Sequence, residues 1–191
     1  MHGLVNRSVQ CFLRDTYGPG RWATVAAEAG VDPEGFEALR HYDDALTDAV
    51  VRAAARQLGK NREALLEDVG IYLVSLEPLR RLLRFGGASY EDFLHSLDEL
   101  PDRVRLAVPD LDLPDLALHA AGPGRFRLDC AGPRPGFGAV FAGVLRAMAD
   151  DYGVLAVIDA GGGTPETVGI ELLDRSFAAG RGFDLAPPEA G

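Results

Sequence analysis

Leu116-Ala117-Leu118-His119-Ala120-Ala121-Gly122-Pro123-Gly124-Arg125-Phe126-Arg127-Leu128-Asp129-Cys130 is the stretch on which the fold turns. Leu116 to Ala120 and Arg125 to Cys130 are short strand-like runs on either side of a Gly-Pro-Gly turn, the signature of a β-hairpin. Downstream, Val140, Phe141, Val144, Leu145 and Met148 recur at helical spacing between Gly136 and Tyr152, and Gly153 supplies the stop. Two further strands, Val154 to Asp159 and Thr167 to Leu173, flank the run Asp159-Ala160-Gly161-Gly162-Gly163-Thr164. That run lacks the lysine and the following helix of a phosphate loop, so it reads as a strand-to-strand turn. The order strand, strand, helix, strand, strand implies an antiparallel sheet.

Everything upstream of the hairpin reads as helix. Leu4, Val5, Val9, Phe12 and Leu13 put an apolar stripe on residues 2–17, which ends at Tyr17-Gly18-Pro19-Gly20. Pro19 opens a second helix carrying Trp22 and Val25, Gly30 closes it, and Val31 to Gly35 is a turn. Asp43 or Asp44 caps a third helix running to about Gly59. Asn61 caps a fourth through Leu65, Leu66, Val69 and Leu73, which Pro78 limits. Ser89 and Asp92 have capping-box spacing, and Phe93, Leu97, Leu100 and Val104 share one face of a helix over 89–107. An interior proline costs about 3 kcal/mol in such a helix, so Pro101 predicts a kink or break between Leu97 and Pro101. The class is α+β, a helical lobe packed on a lobe with a four-stranded antiparallel sheet and helices.

The chain has 191 residues and is 47% hydrophobic, enough for one cored domain. The expected division is a single domain over 1–183, with a helical lobe of about 1–60, a mixed lobe of about 61–183, and a loose tail at 184–191. Acidic residues outnumber basic ones by 29 to 19, for a formal charge of -10, which excludes nucleic acid as the expected partner. Lys60 is the only lysine, so any inward cation is an arginine, suited to planar recognition of a carboxylate. No apolar run approaches the roughly 20 residues of a membrane span, and no secretory signal pattern opens the chain. Cys11 and Cys130 form neither a disulfide framework nor a metal cluster. A cytoplasmic location is expected. Asp43-Asp44 is explained by helix capping, and no nucleophile, base and orienting acid assemble, so no enzyme is read here.

Met1-His2-Gly3-Leu4-Val5-Asn6, then Tyr17-Gly18 with Trp22, then Tyr42-Asp43-Asp44, resembles the start of haem-nitric-oxide-binding (H-NOX) domains. Val69-Gly70-Ile71-Tyr72, Phe93-Leu94-His95-Ser96-Leu97-Asp98-Glu99-Leu100 and Arg134-Pro135-Gly136-Phe137 carry the resemblance onward, over roughly residues 1–175. It implies haem b held between two lobes and a sensor that signals to a separate partner, such as a histidine kinase or a cyclase.

Two departures stand out against that resemblance. The family's iron-binding histidine falls in a Leu-Asp-x-x-His context, and the matching residues are Leu97-Asp98-Glu99-Leu100-Pro101. Proline offers no lone pair to a metal. The family's Tyr-x-Ser-x-Arg motif for the haem carboxylates aligns with Cys130-Ala131-Gly132-Pro133-Arg134, of which only the arginine is kept. Val5, Val9, Leu73 and Ala139 align with residues on the gas-binding side; all are apolar, and would either line a cavity or pack together. With haem present they would favour nitric oxide over oxygen.

No metal ligand and no cofactor are therefore expected, and the vacated pocket comprises Pro101, Cys130, Gly132, Arg134, Val5, Val9, Leu73, Leu97 and Ala139. His95 lies six residues before Pro101, about 240° away on an unbroken helix, and points to solvent. His2 reads as a helix-start residue, and His41 and His119 as structural. Arg134 either grips a carboxylate of an amphiphilic ligand or makes a local salt bridge. Three functions follow: a haem-free regulatory domain that binds an apolar ligand, a nitric oxide sensor with a substitute iron ligand, or a carrier of an amphiphilic carboxylate anchored by Arg134.

Overall fold

The computed structural model describes residues 1–174, so the expected tail at 184–191 lies outside the described residues. Four helices open the chain: α1 (Gly3–Tyr17), α2 (Pro19–Ala29), α3 (Asp44–Leu58) and α4 (Arg62–Ser75). Their starts are fixed by side chains that accept orphan backbone N–H groups. His2 Nδ1 accepts from Leu4 at 3.2 Å, Asp43 from Ala45 at 2.9 Å, and Asn61 from Ala64 at 2.7 Å. Their apolar faces meet in one core, with Phe12, Leu13, Trp22, Val25, Val50 and Leu65 buried together. Polar anchors hold the α2–α3 loop to it: the Trp22 indole donates to the Pro33 carbonyl at 2.8 Å, and buried Gln10 accepts from Phe36 N–H at 3.0 Å.

The fourth helix, read through Leu73 and limited by Pro78, ends at Ser75. Leu76 is extended, and a separate helix α5 (Glu77–Arg84) follows, with Pro78 in its first turn, where the missing N–H costs nothing. Proline here starts a helix rather than ending one.

The stretch 89–107 breaks ahead of Pro101, as that proline predicts. It divides into α6 (Tyr90–His95), a 3-10 turn (Ser96–Glu99) and α7 (Leu100–Ala107). Ser89 and Asp92 form the expected capping box. The break lets Pro101 occupy the first turn of α7, so the interior penalty anticipated from the sequence is avoided. Three side chains fasten the broken segment. Arg103 donates to the Ser96 carbonyl at 2.9 Å, Asp98 accepts from Leu118 N–H at 2.8 Å, and Arg105 pairs with Asp115 at 3.2 Å.

The hairpin strands are β1 (Asp115–Gly122) and β2 (Arg125–Ala131), followed by α8 (Phe137–Tyr152), β3 (Leu155–Gly161) and β4 (Glu166–Asp174). The sheet order is β1-β2-β4-β3, and each pairing is antiparallel. Inward Leu128, Ile158, Val168 and Ile170 join Phe93, Leu97, Phe141 and Leu145 in a second core under α8. Both outer strands carry a side-chain partner from elsewhere in the chain. Asp98 meets Leu118 on β1, and Arg146 of α8 donates to the Ile158 carbonyl on β3 while pairing with Glu67.

α4 and α8 join the two cores, since α4 gives Leu65, Leu66 and Val69 to the first and Val74 to the second, while α8 gives Ala139 to the first. They cross on bare backbone. A Cβ at Gly70 would lie 2.1 Å from the Val140 carbonyl oxygen, and one at Gly143 would lie 2.0 Å from that of Glu67. Only glycine permits this approach.

Candidate functional site

Pro101 is buried in the first turn of α7 next to buried Leu100, and two residues on the Arg103 guanidinium reaches back to Ser96. Leu97, one turn earlier, is fully buried in the second core. No imidazole substitutes nearby. His95 is exposed and sets its ring edge-on to Phe126 at 5.8 Å. His2 is buried as the cap of α1, its ring 5.1 Å from that of His41. His119 lies on β1 with Nε2 3.2 Å from Asp129. Among the described residues, no three His, Cys, Asp or Glu side chains converge into a metal-binding group.

Cys130 ends the inward row of β2 and is 3% exposed. Burial pushes its thiol up to about 12, and the Glu166 and Asp129 carboxylates add to the shift. It is therefore a neutral thiol at ordinary pH. Gly132 is exposed in the loop that follows, and a Cβ there would meet Pro114 at 3.2 Å.

Arg134 is already engaged. Its Nε donates to Asp44 at 2.7 Å and its Nη1 to Asp112 at 3.3 Å, tying the start of α3 to the segment before the sheet. Asp44 also takes the Met1 ammonium, and these two partners, the ammonium first, hold its carboxyl below the usual range. Sequence reasoning missed a third acid at this corner. Glu166, at the start of β4, accepts from Gly136 N–H at 2.8 Å and Gly138 N–H at 2.9 Å, so two of the amides at the start of α8 are taken. No local sequence signal points to it, because the cap comes from a strand 28 residues further along the chain.

The apolar residues expected around the pocket divide between the two cores. Val9 and Ala139 are buried in the first, with Leu73 partly buried against it, while Leu97 and Cys130 belong to the second. Val5 is half-buried on α1.

Haem would need an axial donor for its iron and cations for its two carboxylates. The residues matched to those roles are a buried proline, a neutral thiol and a guanidinium bound to two acids. The residues present do not fit that group.

Comparison with known proteins agrees with the architecture. The model of the Haem-NO-binding family matches residues 2–158. The soluble guanylate cyclase gcy-31 of Caenorhabditis elegans is 23% identical over 178 residues, covering 91% of this chain and 24% of that protein. The soluble guanylate cyclase 89Db of Drosophila melanogaster is 23% identical over 121 residues, covering 62% of this chain and 18% of that protein. The chain thus spans about a quarter or less of the length of these relatives. Among solved structures, a mutant of the T. tengcongensis H-NOX matches with a TM-score of 0.75 at 17% identity, covering 91% of this chain and 98% of that one. A Cs H-NOX variant carrying 4-cyano-L-phenylalanine matches with a TM-score of 0.76 at 17% identity, covering 93% and 99%. The α+β fold is that of H-NOX domains, and with a family model matching most of its length the chain belongs to the Haem-NO-binding family.

Proposed function

We propose that this chain is a haem-free H-NOX domain that works as a regulatory module for a separate signalling partner of the kinase or cyclase type. The observation that carries the reading is the buried proline in the first turn of α7, at the place where the family's resemblance puts the iron ligand. The neutral Cys130 and the engaged Arg134 support it, because both the metal and the carboxylate requirements of haem go unmet at once. The guanylate cyclase relatives support a signalling context. Such a domain acts by presenting one of two lobe arrangements to its partner, and the fastened α6–α7 segment is the element through which an arrangement is held.

Haem supplementation tests the reading. The purified protein, mixed with equimolar haemin and passed over a desalting column, is expected to show no intense band at the violet edge of the visible spectrum. A retained band that shifts on reduction and on nitric oxide addition would instead support a haem sensor with a substitute ligand.

A further inference from the structure

The inner face of the sheet packs under α8, and its outer face carries an open groove of about 450 Å³ over β2, β4 and β3, a volume within the range of small-molecule sites. Gly169, in the interior of β4, lines it. It pairs with Arg127 on β2 and with Asp159 on β3, so the three form one row across the sheet, with about 10 Å between the outer two Cα atoms. Among the described residues nothing requires a glycine at that place. Its φ is not positive, the register runs unbroken through it on both sides, and a Cβ would meet only the Asp159 carbonyl oxygen, at an ordinary 3.8 Å. Glycine weakens a strand interior, and with bulge, turn and crowding set aside, the remaining cause is the close approach of another molecule to the backbone.

The charges around the gap indicate which molecule. Arg125 is paired with Glu171 at 2.8 Å, and Arg127 turns along its own strand to Asp129 at 2.8 Å, which also takes His119 at 3.2 Å. Both guanidinium groups are thus neutralised. Asp159 lines the same groove, and its carboxylate has no ion-pair or hydrogen-bond partner among the described residues. Val157, 43% exposed, gives the groove an apolar wall. We propose that this groove binds a flat small molecule with one positive charge, of the aromatic amidinium or guanidinium class. Its ring lies on the bare backbone at Gly169, and its N–H groups donate to Asp159. The site is on the side of the sheet away from the second core, so it stands independently of the haem-free reading.

4-Aminobenzamidine, titrated into the isotopically labelled protein and followed by amide NMR signals, tests the proposal. It is expected to shift the signals of Arg127, Gly169 and Asp159 saturably, at one site per chain. Binding should be at least about fivefold tighter than that of 4-aminobenzoate, which has the same ring and the opposite charge. Asp159→Asn is expected to weaken amidine binding about three- to tenfold. Gly169→Val fills the gap with a residue suited to a strand, and is expected to abolish the shifts while leaving the melting temperature unchanged or raised. No saturable shift at Gly169, equal or tighter binding of the benzoate, unchanged affinity in Asp159→Asn, or a Gly169→Val protein that binds like the parent would each overturn the proposal.

Discussion

Replacing Gly143 by alanine isolates the contact that joins the two lobes. In an ordinary helix interior this substitution stabilises by about 1 kcal/mol, because alanine loses less backbone freedom on folding. Here the new Cβ would lie 2.0 Å from the Glu67 carbonyl oxygen, 2.9 Å from its carbon and 3.0 Å from the Ile71 nitrogen, all backbone atoms of α4. To restore an ordinary contact of 3.4 Å the helices must part by about 1.4 Å. They cannot do so locally, because Arg146 of α8 pairs with Glu67 beside the crossing and Gly70 repeats the close approach one turn along α4. Overpacking of this kind costs roughly 1–3 kcal/mol, and with rigid backbone on both sides the upper end applies. The net loss is about 2 kcal/mol, which in a domain of this size lowers the melting temperature by about 4–8 °C. Circular dichroism melting of Gly143→Ala measures it, with Gly20→Ala as the control, since a Cβ at Gly20 meets nothing within 4 Å and should leave the melting temperature unchanged or slightly raised. If Gly143→Ala melted at or above the parent temperature, the backbone-to-backbone crossing would be wrong.

Alkaline pH should weaken the fold through Cys130. Its thiol ionises near 9 in the unfolded chain but only at about 12 when folded, so the folded state keeps a proton that the unfolded state has lost, and stability falls as pH rises across that window. The urea midpoint of Cys130→Ala should therefore drop less between pH 8 and pH 10.5 than that of the parent, and equal drops would remove Cys130 from the account. Asp98→Ala strips the partner from Leu118 N–H and is expected to cost about 0.5–1.5 kcal/mol. Amide exchange should then accelerate at Leu118 while its paired residue Leu128 stays protected, and unchanged exchange at Leu118 would show that the bond contributes nothing.

Legibility from sequence followed the range of the interactions. Caps were readable because they act within a turn: Asp43, Asn61 and the Ser89–Asp92 pair sit where local chemistry requires them. The break before Pro101 was readable for the same reason, since a missing N–H is a property of one residue. The start of α5 was not, because Leu76 and Leu79 continue an apolar pattern across the boundary, and periodicity alone cannot tell a proline that ends one helix from one that begins the next. That Arg134 makes a salt bridge was one of its two readings, but its partner was beyond reach, because Asp44 is 90 residues away and meets it only once the lobes have assembled. The cap that Glu166 places on α8 is hidden likewise.

The side chains seated on the two outer strands bear on how the molecule behaves in company. A second copy that tried to lengthen the sheet at β1 would have to evict Asp98 from Leu118, and at β3 it would have to dislodge Arg146 from Ile158. Ribbon-like growth from molecule to molecule would begin with a loss on either flank. Crowding should therefore leave such chains separate, and a partner that reads the state of the domain is better served by its helices than by its strands.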